Sequence, residues 1–92
     1  MPKQPFSRSI EAIILASEQD RWSYNRTYQV VSVSLNRLPF GCHLVTTLLD
    51  SGRRNLFATE TSIYRTMDNG VTVRERTVSE VTAFELRRNE VI

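Results

Sequence analysis

Glycine occurs three times in this chain of 92 residues, each time in a turn sequence between runs that favour β-strand. The turns are Leu38-Pro39-Phe40-Gly41, Asp50-Ser51-Gly52 and Asp68-Asn69-Gly70. Strands joined by so few residues return antiparallel beside their predecessor, because a parallel return needs a crossover of a dozen or more residues. The chain after residue 26 is therefore predicted to form an antiparallel meander. Nine threonines, eight of them after position 45, and frequent valine suit the half-buried pleats of such a sheet. In the run 28–36, Val31, Val33 and Leu35 face one side while Ser32 and Ser34 face the other. A slip in this alternation near Gln29-Val30 predicts a bulge or a change of twist there. Further strands are predicted from Cys42 to Leu49 and from near Arg54 onward.

Each Asp-x-Gly sequence suits a three-residue hairpin loop with glycine in the left-handed position. At the second, this loop pairs Met67 with Val71, Thr66 with Thr72 and Tyr64 with Arg74. A two-residue Asn-Gly loop would instead set Arg65 opposite Arg74, a repulsive pair, so the longer loop is predicted. With all glycines in turns, none remains to cradle a phosphate.

Prolines at 2 and 5 mark residues 1–6 as a flexible arm, leaving 7–92 as a single domain. Ser7 is placed to cap a helix over about Arg8 to Gln19, ending before Trp22. Phe6, Ile10, Ile13, Ile14 and Ser17 form its apolar stripe, with Glu11, Glu18 and Asp20 mostly off it. At the other end, Thr77-Val78-Ser79-Glu80 has the form of a capping box. Against that, Thr82, Phe84 and Leu86 alternate with Ala83, Glu85 and Arg87, and a strand with a bulge near Ser79 is expected. The fold class is α+β: an N-terminal helix packed on an antiparallel, meander-like sheet of four to five strands. This resembles cystatin-like folds in the order of its elements alone and carries no functional residue across.

Apolar residues at 40% and charged residues at 24% fit one soluble globular domain. The lone Cys42 leaves no internal disulfide and fits a reducing compartment. Met1 to Pro5 contain no apolar signal-peptide core, and no run approaches the roughly 18 apolar residues of a membrane span. A cytoplasmic location and no membrane partner are the expectations.

Candidate chemistry is sparse. Cys42 and His43 are neighbours on a strand and point to opposite faces, so thiol and imidazole do not meet. A buried cysteine and a surface histidine are expected. No other histidine offers a metal ligand, the carboxylates are scattered, and neither enzyme activity, metal nor cofactor is expected. Eleven of the twelve basic residues are arginine, whose planar fork binds carboxylate or phosphate through two bonds and stacks on rings. The net charge is only +2: residues 1–46 carry five basic and three acidic groups, and residues 47–92 seven of each. Such mixing disfavours a dedicated polyanion binder.

Arg21, Trp22, Tyr24, Arg26 and Tyr28 form the densest arginine–aromatic segment. If it is extended, Trp22, Tyr24, Arg26 and Tyr28 share one face. Arg53 and Arg54 beside the first Asp-x-Gly turn, and the cross-strand pair Tyr64 and Arg74, complete the candidate partner-binding set. The chain reads as a non-catalytic protein-binding module of inhibitor or adaptor type, a profile common among small phage- and plasmid-encoded inhibitors. Its expected partner is an acidic protein surface, with homo-oligomerisation through a sheet edge also compatible. The alternative is nucleic-acid binding through Trp22, Tyr24, Arg26, Tyr28 and the hairpin arginines, where bases stack and phosphates pair.

Overall fold

The computed structural model describes residues 9–92. The expected arm and the Ser7 cap fall outside the described residues. The elements are α1 (Ile10–Trp22), β1 (Gln29–Leu38), β2 (Cys42–Asp50), β3 (Phe57–Thr66), β4 (Thr72–Val78) and α2 (Glu80–Arg87). The four strands form one antiparallel sheet in the order β1-β2-β3-β4, the expected meander.

Helix α1 starts at Ser9, whose side chain accepts the Ala12 N–H at 3.1 Å, and runs one turn past Gln19. It ends where the Ser23 hydroxyl and N–H both turn back to the Asp20 carbonyl. Ile14 is fully buried against Val45 and Tyr64, with Ile10, Val33 and Leu35 around them. Burial of one such side chain contributes about 1.5–3 kcal/mol. Leu44 and Ile63, the strand neighbours of Val45 and Tyr64, pack instead with Val78 and with Ala83 of α2. Adjacent strand residues point to opposite faces. The two helices therefore cover opposite faces of one sheet.

The C-terminal segment is a helix and not a strand. Ser79 caps it by accepting the Thr82 N–H at 3.2 Å, and Ala83 and Leu86, three residues apart, turn onto the core. Extended backbone would have sent these two to opposite faces. The alternation of Thr82, Phe84 and Leu86 is coincidental: Val81 and Phe84 are 70% and 64% exposed.

The Asp68-Asn69-Gly70 loop has the expected length and register. The Met67 N–H donates to the Val71 carbonyl at 2.8 Å, Gly70 has φ +87°, and Tyr64 lies opposite Arg74. The Asp50 turn is wider. Asp50 pairs with Phe57 across a loop of residues 51–56. Asp50 and Ser51 side chains accept the Gly52 and Arg53 N–H groups, and the Ser51 hydroxyl donates to the Leu56 carbonyl. These local bonds give the loop backbone partners that a tight hairpin would have supplied. At the first turn Gly41 has φ +73°, and its carbonyl accepts the Thr66 N–H at 2.9 Å. A Cβ there would stand 3.2 Å from the Thr66 carbonyl oxygen, so glycine is needed for backbone shape and close approach alike.

β1 carries the expected irregularity: its pairing to β2 skips between Val30 and Ser32. Val31, expected on the same face as Val33 and Leu35, is instead the extra residue of this bulge and is exposed, whereas Val33 and Leu35 keep their inward face. A second skip on β4 leaves Glu75 unpaired between Arg74 and Arg76.

Candidate protein-interaction surface

The segment 21–28 is not extended. Trp22 belongs to the last turn of α1, and the Asn25 side-chain oxygen accepts the Thr27 and Tyr28 N–H groups, each at 2.8 Å. This Asx turn folds the connection back, so the four residues do not line one strand face. Trp22 and Tyr28 meet edge to face with ring centroids 6.3 Å apart, and the Arg21 guanidinium lies 5.2 Å from the Trp22 centroid. Tyr24 projects into solvent at 88% exposure.

The sheet register brings this connection and the 51–56 loop together. Gln29 pairs with Asp50, and Asp50 with Phe57, so both segments emerge at the same end of the sheet. Arg26, Arg53 and Arg54 share that end with exposed Tyr24, Leu56 and Phe57. Among the described residues, none of these three arginines forms an ion pair.

The remaining candidates are placed differently. Tyr64 is 1% exposed and is a core residue, so its ring does not meet a partner. Arg74 lies across from it but turns to Glu60 at 3.6 Å and to Thr77, forming no stacked pair. Arg21 binds Glu60 at 2.6 Å and Glu18 at 3.2 Å, and its charge is satisfied within the fold.

Glu18, expected off the apolar stripe, is 1% exposed. Its carboxylate accepts from Thr47 Oγ1 at 2.7 Å, from the Tyr64 hydroxyl and from Arg21. Ser17 Oγ lies 3.0 Å from the same phenol oxygen. Burial pushes the Glu18 carboxyl upward, but the Tyr64 and Thr47 hydrogen bonds and the Arg21 charge outweigh it and hold it below its ordinary value. Burial and the bond to Glu18 push the Tyr64 phenol up to about 12. The spacing held a signal: Glu18 follows Ile14 by four residues and Ile10 by eight, on the same side of α1.

Cys42 and His43 do point to opposite faces, with burial opposite to expectation. His43, 6% exposed, lies under α1 with Nε2 3.5 Å from Glu11, while Cys42 is only half-buried beside Leu44. The helix shelters the histidine face there. Cys42 borders a cavity of about 580 Å³ at the far end of the sheet from Arg26, Arg53 and Arg54, with Leu38, Phe40, Ile63, Leu86 and Arg65 among its walls.

Among the described residues, no group of three or more histidine, cysteine or acidic side chains is arranged to hold a metal ion, and no helix is long and apolar enough to cross a membrane. No family model, curated protein or solved structure matches the chain.

Proposed function

We propose that the chain is a non-catalytic protein-binding module, of inhibitor or adaptor type, that engages an acidic protein surface through the end of its sheet carrying Arg26, Arg53 and Arg54. The observation carrying this reading is the convergence there of unpaired arginines with exposed Tyr24, Leu56 and Phe57. Guanidinium groups without internal carboxylates are free to take carboxylates from a partner, and the rings and leucine supply the apolar area that such contacts need to exclude water. Arg21 and Trp22 form the backing of this end.

The test is recovery of a partner from the native host by the wild-type chain and by Arg53→Glu/Arg54→Glu. Wild type is expected to retain a specific protein that the double variant loses, with unchanged thermal unfolding showing that both are folded. A partner retained equally by both, or none recovered, overturns the reading. A parallel titration with RNA and with DNA is expected to show weak binding that collapses between low and physiological salt. Tight binding that persists there and fails in Arg26→Ala would assign the same end to nucleic acid.

A further inference from the structure

The two edges of the sheet are built differently. On β4, three consecutive charged residues, Arg74, Glu75 and Arg76, coincide with the bulge at Glu75. Charge and irregularity are the usual protections of an edge against pairing with another strand. β1 has neither along its centre. From Gln29 to Asn36 it contains no charge, no proline and no glycine, and its residues Ser32 to Asn36 pair regularly with β2.

The direction of the free edge groups is fixed by the C-terminal segment. The Val91 N–H donates to the Arg37 carbonyl at 2.7 Å, so Arg37 turns its backbone groups away from β2. By the alternation of an antiparallel strand, Leu35 and Val33 also turn their N–H and C=O groups outward. Among the described residues, no other strand of the sheet covers this edge.

We infer that β1 pairs antiparallel with β1 of a second copy of this chain, about a two-fold axis at Ser34, joining two sheets into one. In this register Val33 of each copy exchanges backbone hydrogen bonds with Leu35 of the other, Ser34 faces Ser34, and Ser32 faces Asn36. A second copy fits because an isologous interface must be self-complementary, and this stretch opposes like with like. Val33 and Leu35 continue the apolar layer under α1 on both sides, while Ser32, Ser34 and Asn36 meet on the other face. No charge opposes a charge. The register also places the Val31 bulge of one copy at Arg37 of the other, where the edge is already occupied by Val91. The two interruptions coincide and the regular stretch between them pairs in full. This surface is separate from the arginine-bearing end.

The experiment is sedimentation velocity over a series from low micromolar to submillimolar chain, on wild type, Ser34→Lys, Ser34→Glu and an equimolar mixture of the two variants. Ser34 is exposed, so both substitutions leave the monomer fold intact, which far-ultraviolet circular dichroism verifies. Wild type is expected to dimerise with rising concentration, and each variant alone to dissociate at least tenfold more readily, because like charges meet at the axis. The mixture is expected to restore the dimer. A wild-type chain that stays monomeric throughout, variants that dimerise like wild type, or a mixture that stays monomeric would each overturn the inference.

Discussion

Glu18, Tyr64, Thr47 and Arg21 tie α1 to the centre of the sheet through one carboxylate that water does not reach. A buried charge is tolerable only while its donors are in place, and removing one member leaves the others without partners. Glu18→Gln is expected to lower stability by about 2–4 kcal/mol, and Tyr64→Phe by about 1–3 kcal/mol, read from urea midpoints. The pH dependence has two limbs. The lowered Glu18 carboxyl contributes stability above its unfolded value of about 4.3, and this is lost as pH falls through that value toward the lower folded one. The raised Tyr64 phenol acts oppositely: its contribution is whole below about 10, the ordinary phenol value, and is lost as pH climbs toward about 12. Midpoints measured across pH are expected to show both declines, with Tyr64→Phe lacking the alkaline contribution of this residue and Glu18→Gln lacking the acid one. Apolar periodicity drew the helix stripe correctly at Ile10 and Ile14 but passed over Glu18. Hydropathy treats a carboxylate as surface, whereas burial here depends on donors supplied by strands 29 and 46 residues away.

At the scale of elements, local chemistry decided most boundaries. The Asp68-Asn69-Gly70 loop and its register were readable because repulsion between Arg65 and Arg74 disfavoured the shorter loop and glycine suits the left-handed position. The Asp50 loop was not, because its shape depends on side-chain bonds reaching as far as Leu56. The C-terminal helix shows two local signals in conflict. Its cap at Ser79 competes with an alternating run, and contacts of Ala83 and Leu86 with Leu44, Ile63 and Val78 resolve the conflict toward helix. Because the cap is one exposed hydroxyl, accepting the Thr82 N–H and donating to Thr82 Oγ1, Ser79→Ala is expected to cost about 1 kcal/mol and Ser79→Gly only a few tenths, measured by thermal unfolding.

For the whole molecule, a helix on each face of the sheet directs the two proposed contacts to one end and one edge. The arginines are divided by this geometry. Arg21 and Arg74 are drawn into ion pairs with Glu60, while Arg26, Arg53 and Arg54 at one end form none among the described residues. The charge reversal at Arg53 and Arg54 and the charge exchange at Ser34 therefore test separate surfaces, and each is expected to leave the other's readout unchanged. The sequence by itself determined the antiparallel meander, the N-terminal helix, the second hairpin's register and an irregularity near the start of β1, because turn chemistry, alternation and like-charge repulsion act between residues close along the chain. Only the tertiary structure decided that the C-terminal segment is helical, that Glu18, His43 and Tyr64 are interior, and which arginines remain unpaired. Those outcomes rest on contacts between residues distant in sequence, whose energies no local pattern contains.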